Sequence, residues 1–146
     1  GGIERVAAGG SGLILGVFNG CFYTDPTTGK PTFANSYPGS ISASDIMANV
    51  IDDPGATFEI QANAAMPIAD LAGNFDIVDQ SPVGDTTSGT SRMELAVSTG
   101  ATTATLPLKA IDISQDPENS DVSSANTNVI VKINNHLFSG GTAGLA

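Results

Sequence analysis

Short runs in which apolar and polar residues alternate recur along this chain and limit the folds that it can adopt. In TFEIQAN, residues 57–63, Phe58 and Ile60 lie on one side of an extended chain, and the polar residues between them lie on the other. Residues 92–97 (RMELAV) and 129–133 (VIVKI) repeat this period of two. No stretch shows a sustained helical period, so the pattern predicts strands with one face buried.

Turn-forming residues separate these runs at short intervals. TDPTTGKP at residues 24–31 predicts a hairpin, and DDPGA at 52–56 and SPVGDTTSGTS at 81–91 predict further turns. Strands interrupted this often are typical of sandwiches and barrels, and atypical of alternating strand and helix units. SASDIMAN at 42–49 and PIADLAG at 67–73 predict two short helical turns, from a serine cap and from a first-turn proline respectively. The predicted fold is therefore all-β: a compact antiparallel β-barrel or β-sandwich with one or two short helical turns and flexible glycine-rich termini.

The length of 146 residues fits one domain flanked by two arms. Residues 1–12 (GGIERVAAGGSG) predict a flexible N-terminal arm, residues 13–138 the β domain, and residues 139–146 (SGGTAGLA) a flexible C-terminal tail. Residues 114–128 form a long polar connection, and loops of this length in small domains are often disordered or ordered by a partner. We therefore expect this loop to be a candidate contact element.

Composition narrows the choice of partners. Fifteen acidic residues against five basic ones give a formal charge of −10, and the basic residues are scattered along the chain. This distribution disfavours nucleic acid and anionic membranes as partners. No apolar run approaches the roughly 20 residues that span a bilayer. The single cysteine, Cys21, has no intrachain partner, so we expect a buried, unreactive thiol.

Catalytic and metal-binding patterns are weak. His136, the one histidine, follows a strand pattern, and we expect its ring to be solvated or bonded to the backbone at a strand edge. No nucleophile signature accompanies it, so a hydrolase is disfavoured. Asp116, Glu118 and Asp121 in the polar loop are a weak cation candidate without the spacing of a calcium loop. The sequence predicts no cofactor, no other metal site and no enzymatic activity.

Several separated segments, in one order, resemble a group of small structural proteins of tailed bacteriophages. The segments are GVFNGCFYTD, GKPTFANSYPGS, DDPGATFEIQANA, SGTSRMELAVSTGATTATLPLKAIDI and VIVKINNHLF. The resemblance extends from about Gly16 to Phe138, and the group looks like capsid decoration, or cement, proteins. It implies a β-rich fold without enzymatic activity, made in the host cytoplasm and attached to the outer surface of the virion. It also implies two partners: the major capsid protein lattice and the chain itself, as a dimer or trimer.

On this hypothesis the arms and exposed apolar side chains near them contact the capsid. The candidate contact residues are Gly1, Gly2, Ile3, Arg5, Val6, Leu13, Phe138 and Leu145. Glycine-rich arms can thread between subunits and become ordered there, and many copies on a lattice gain avidity. Two alternatives stay open: a phage tail or fibre module that binds host surface glycans, and a hydrolase that depends on His136.

Overall fold

In the computed structural model, the described residues are 2–10, 12–79, 84, 85 and 88–145, and they form eight strands in two antiparallel sheets. The strands are β1 (Val17–Thr24), β2 (Pro31–Ala34), β3 (Met47–Ile51), β4 (Thr57–Gln61), β5 (Asn74–Asp79), β6 (Met93–Ala101), β7 (Leu108–Ile113) and β8 (Asn128–Ile133). The smaller sheet has the order β2-β1-β3, and the larger has the order β4-β8-β7-β5-β6. The predicted all-β class is confirmed, and a sandwich-like description fits it.

The five-stranded sheet curls without closing into a barrel. Its edge strands, β4 and β6, come together at one point, where Ala62 forms an isolated bridge with Leu95. The Asn63 N–H donates to the Leu95 carbonyl at 3.0 Å, and the Asn63 side-chain oxygen accepts the Val97 N–H at 3.0 Å. A single asparagine thus occupies part of the β6 edge that a closed barrel would pair with a strand.

The core lies against one face of this sheet and follows the predicted alternation. Val129, Val131 and Ile133 of β8 are buried, whereas Ile130 and Lys132 are only partly covered. The cluster also contains the following side chains: Ile14, Ala62, Met66, Phe75, Ile77, Leu95, Leu108, Ala110 and Ile113. Burial of these side chains is the main favourable term for the larger sheet.

The three-stranded sheet is built around the predicted hairpin at residues 24–31. Asp25 accepts the backbone N–H groups of Thr27 and Thr28 at 2.7 and 3.2 Å, and Gly29 adopts the left-handed conformation, with φ of 69°. The Asp25 N–H donates to the Lys30 carbonyl and closes the turn. These side-chain bonds to the local backbone explain why the chain reverses here.

One predicted helical turn is present and the other is wrong. PIADLAG contains a 3₁₀ turn at Ile68–Asp70, and an unpredicted 3₁₀ turn lies at Pro117–Asn119. SASDIMAN forms no helix: its last three residues begin β3, and Asp45 accepts the Thr24 N–H and hydroxyl instead of capping a helix. Pairing with β1 therefore overrides the local capping signal.

The polar loop at residues 114–128 is held together by its own side chains. The Asn119 side-chain nitrogen donates to the carbonyls of Ser114 and Asn128 at 3.0 and 2.9 Å, and its oxygen accepts the Asn128 N–H at 2.8 Å. Val122 packs against the core. One asparagine thus joins the two ends of the loop.

In the described part of the chain, no helix has the length and apolarity that a membrane span requires.

Candidate interaction surface

His136 lies outside β8 and is fully buried, so the prediction of a solvated ring at a strand edge is wrong. The chain turns after Ile133, and His136 bridges to Ile14 on one side and to Gly140 on the other. Its Nδ1 accepts the Phe138 N–H at 3.0 Å, so the ring is bonded to the backbone, which was the other predicted environment. The Phe138 ring lies against it, with centroids 5.6 Å apart.

The surroundings of His136 do not form a catalytic triad. Nε2 is buried and has no hydrogen-bond partner among the described residues. A triad needs a hydroxyl or thiol bonded to one ring nitrogen and an orienting carboxylate on the other, but here Nδ1 is bonded to the backbone of the same turn. Cys21, the one thiol that could act as a nucleophile, lies in the smaller sheet, with its Sγ 3.9 Å from the Ser36 carbonyl. The ring therefore has a structural role in this conformation.

The N-terminal segment lies along the end of β5, where β7 no longer pairs with it. Arg5 forms an ion pair with Asp79 at 2.8 Å, and the Gly9 N–H donates to the Ile77 carbonyl at 3.4 Å. Farther on, Ile14 exchanges backbone hydrogen bonds with Asn135 and Leu137 at 2.9 Å each. The predicted arm thus has a docked conformation on the domain, and its flexibility stays a prediction.

The C-terminal segment, residues 139–145, lies at the end of the larger sheet where β5 and β7 begin, and is fixed by two buried asparagines. The Asn134 side chain donates to the carbonyls of Ala104 and Leu106, and its oxygen accepts both the N–H and the hydroxyl of Thr142 at 3.1 Å. The Asn74 side chain donates to the Thr142 carbonyl at 2.7 Å. We call residues 139–145 with Asn74 and Asn134 the C-terminal clasp.

The glycines of the clasp allow close packing. A Cβ on Gly141 would overlap the Ala104 carbonyl oxygen, and one on Gly144 would lie 2.8 Å from the Asn74 nitrogen. Lys109 completes the contact through a 2.7 Å bond from Nζ to the Ala143 carbonyl. Burial, followed by the neighbouring Lys132, lowers the pKa of Lys109. The glycine content that predicted a mobile tail is thus also what close packing requires.

The predicted contact residues occupy different parts of the surface. Ile3, Leu13, Phe138 and Leu145 are exposed, whereas Val6 packs against the core. Leu13 and Phe138 come to one end of the molecule because residues 12–14 run beside residues 135–137. Gly2 is exposed, Arg5 is ion-paired, and Gly1 lies outside the described residues. The terminal candidates therefore differ in exposure and bonding, and their contact with a capsid stays a prediction.

The acidic residues of the polar loop are used in local caps. Asp116 accepts the Glu118 N–H at the start of the 3₁₀ turn, and Asp121 accepts the Ser123 N–H and hydroxyl. Bonding to the Ser123 hydroxyl lowers the pKa of Asp121. Among the described residues, no group of three or more His, Cys, Asp or Glu side chains is arranged to hold a metal ion.

The smaller sheet carries an exposed apolar surface that the sequence did not predict. On the three-stranded sheet, Phe22 is paired with Phe33 on one side and with Met47 on the other. These three side chains are 44%, 55% and 68% exposed. Val17 and its partner Ile51 extend the row on the same side of the sheet. We call these five residues the apolar face.

The apolar face contains no charged side chain, although the chain as a whole carries −10. A signal for it exists in the sequence, since β1 is apolar on both of its sides. Cys21 and Tyr23 are buried on the opposite side of the sheet, whereas Phe22 between them is exposed. In an antiparallel sheet, a strand that is apolar on both sides is either covered on both faces within the fold or exposes one apolar face that another molecule can cover.

A cleft of about 300 Å³ lies beside the smaller sheet. It is lined by Arg5, Ser36, Tyr37, Gly84, Asp85, Gly89, Thr90, Ser91 and Arg92. A second cleft shares Ser91 and Arg92 with it. The two arginines of the chain and an exposed tyrosine thus line one opening, a combination able to bind polar ligands.

Comparison with known proteins identifies no relative. No protein-family model matches the chain, and no curated protein or solved structure gives a significant match. The likeness to phage decoration proteins therefore has no support beyond the segments that suggested it.

Proposed function

We propose that this chain is a non-enzymatic structural protein of a tailed-phage virion that decorates the outer surface of the capsid and stabilises it by binding the major capsid protein lattice. The observation that carries the proposal is the apolar face. Soluble monomers rarely leave an extended apolar patch uncovered, and such patches mark sites of protein association. The sequence resemblance supplies the identity of the partner.

The apolar face has the composition of a protein contact. Aromatic residues and methionine are enriched in interfaces, and Phe22, Phe33 and Met47 lie side by side across three strands. Backbone hydrogen bonds hold the three strands in register, so little ordering entropy is lost on binding. A rigid apolar face on an acidic domain suits attachment to a protein shell better than to the anionic nucleic acid inside it.

The terminal residues offer a second contact region. Leu13, Leu137 and Phe138 are exposed at the end of the molecule where residues 12–14 run beside residues 135–137. On this proposal, the two regions contact neighbouring capsid subunits, so that one copy of the protein bridges them. Avidity over a symmetric lattice then compensates for modest affinity at each surface.

The test is co-sedimentation with assembled capsid shells of the phage that encodes the chain. We expect saturable binding, and we expect Phe22→Ser to raise the dissociation constant at least tenfold, because it removes a central interface side chain. Ile68→Ser is the matched control, since Ile68 is 67% exposed but lies outside the apolar face. Phe138→Ser examines the terminal region in the same way. Absence of binding by the unchanged protein would reject the decoration role.

The cleft beside Tyr37 favours one alternative, a tail or fibre module that binds host glycans. Its lining combines an aromatic ring, hydroxyl groups, the Asp85 carboxylate and two arginines, of which Arg5 is ion-paired with Asp79. Aromatic faces and hydrogen-bonding side chains are the groups that bind sugar rings. Glycan-array binding by the purified protein that is lost in Tyr37→Ala, together with no affinity for shells, would establish this alternative.

A further inference from the structure

The β3 edge of the three-stranded sheet has unpaired backbone groups. The Asp25 N–H donates to the Lys30 carbonyl, and the Thr24 N–H points the other way, to Asp45. Because backbone direction alternates along an antiparallel ladder, Phe22 directs its backbone groups toward its β3 partner Met47. Ala48 and Val50 consequently direct theirs away from β1. Among the described residues, β3 pairs with β1 alone.

The other sheet edges carry features that discourage further pairing. β2 is four residues long and begins with Pro31, directly after Lys30. The edges of the larger sheet include charged residues, Glu59 on β4 and Glu94 on β6, and Asn63 occupies part of the β6 edge. Charge, proline and short length are the usual protections of edge strands.

β3 has neither the charge nor the proline that marks the other edges. Its sequence is MANVI, without charge, proline or glycine, and all of its residues except Val50 are exposed. The strand with outward backbone groups available for pairing is thus also the strand whose side chains do least to prevent pairing.

We propose that β3 is a dimerisation edge at which two copies of this chain join through antiparallel β3–β3 pairing across a two-fold axis at Asn49. Ala48 of each copy exchanges backbone hydrogen bonds with Val50 of the other, because these are the residues whose groups point outward. The two three-stranded sheets become one continuous six-stranded sheet. The two-fold axis closes the assembly at two copies and prevents a fibre.

The side-chain register of this pairing favours a second copy as the occupant. With Asn49 on the axis, Met47 of one copy lies opposite Ile51 of the other, on the side of the sheet that bears the apolar face. The pairing thus joins two apolar faces into one. Each chain carries −10, yet the strand that would approach its copy has no carboxylate. The strand itself therefore adds no like-charge repulsion to the pairing, and the nearest carboxylates, Asp45, Asp52 and Asp53, lie beyond its two ends.

The axis gives a direct test by charge complementation. In the proposed dimer, Asn49 lies opposite Asn49 of the other copy in a close, non-hydrogen-bonded pair. Asn49→Asp therefore places two carboxylates together, and Asn49→Lys places two ammonium groups together. We expect the unchanged chain to reach twice its 14.7 kDa in sedimentation equilibrium. We expect each variant alone to dissociate at least tenfold more readily. An equimolar mixture should regain dimers, and native mass spectrometry should identify them as Asp/Lys heterodimers.

Two further variants separate pairing from folding. Ala48→Pro removes an N–H that points away from β1 and should therefore abolish the dimer. The melting temperature of the monomer should stay the same, because no hydrogen bond within the chain is removed. Asn35→Asp makes the same chemical change as Asn49→Asp at an exposed position outside β3 and should leave the dimer intact.

A mass of 14.7 kDa for the unchanged chain throughout a concentration series would overturn the proposal. So would dimers that persist in Asn49→Asp, or a mixture of the two variants that stays monomeric. Because no capsid is present in these measurements, their outcome is independent of the decoration role. Failure of shell binding alone would leave the dimerisation proposal standing.

Discussion

The two sheets of this protein are built from the same kind of strand but differ in what covers them. In the larger sheet, one face carries the core, with residues such as Leu95 and Val129 fully buried. In the smaller sheet, Cys21 and Tyr23 are buried on one side, whereas the apolar face on the other is exposed. Apolar side chains therefore stabilise the larger sheet from within, and those of the apolar face remain available for a partner.

Truncation of one apolar side chain in each sheet should show the largest difference. Leu95→Ala leaves a cavity in the packed core and should lower the free energy of unfolding by about 3 kcal/mol. Met47→Ala removes a side chain that is 68% exposed and should change it by less than about 0.5 kcal/mol. Urea unfolding of dilute protein measures both values. Similar losses in the two variants would show that Met47 is covered in solution and would contradict the comparison.

A smaller effect should distinguish the clasp from a loose tail. Gly141→Ala forces a Cβ against the Ala104 carbonyl, so we expect a loss of about 2 kcal/mol and faster amide exchange at Thr142 and Gly144. Gly2→Ala is the matched control, because a Cβ at Gly2 meets no atom within 4 Å. Calorimetry with hydrogen exchange measures the two variants. If Gly141→Ala behaves like Gly2→Ala, the clasp is open in solution.

The smallest effect concerns the acid sensitivity of the smaller sheet. The Thr24 hydroxyl, with the Thr24 N–H, lowers the pKa of Asp45. A lowered pKa stabilises the fold above the unfolded-state value of about 3.9, and this contribution disappears as the pH falls through the folded-state pKa. We expect protection of the Thr24 amide to fall at that pH, and to be low at every pH in Asp45→Asn.

Asp52→Asn provides the control for this measurement, because it changes an exposed carboxyl next to β3 and makes no contact with Thr24. Its protection profile should match that of the unchanged chain. A pH-independent Thr24 amide in the unchanged chain would show that the Asp45 bond does not hold the end of β1.

Local alternation predicted the larger sheet well, because burial of one face imposes a period of two on the sequence. TFEIQ, RMELAV and VIVKI each coincide with a strand or its start. The prediction of a helical turn at SASDIMAN was wrong because Ser42 and Ser44 resemble helix caps. The interaction that prevails, pairing of β3 with β1, joins residues about 30 positions apart in the chain. Local rules contain no information about such a distant partner.

The candidate surface was less predictable, for two physical reasons. The clasp depends on Asn134 bonds to residues 28 and 30 positions earlier, which leave no periodic signal. Glycine is ambiguous, because mobile linkers and close contacts both favour it. The apolar face could have been found, since Phe22 stands between buried Cys21 and Tyr23, and a strand that is apolar on both sides needs two partners.

The clasp has a consequence for the order in which the chain folds during synthesis. The bond from Asn74 to Thr142 spans 68 positions, and β8 must pair with β4 across a similar distance, so the larger sheet and its clasp cannot be completed until residue 142 has left the ribosome. The smaller sheet needs residues 17–51 alone for its strand pairing and can assemble much earlier. On a polysome, neighbouring nascent chains would therefore expose their β3 edges to one another while the rest of each domain is still unfolded.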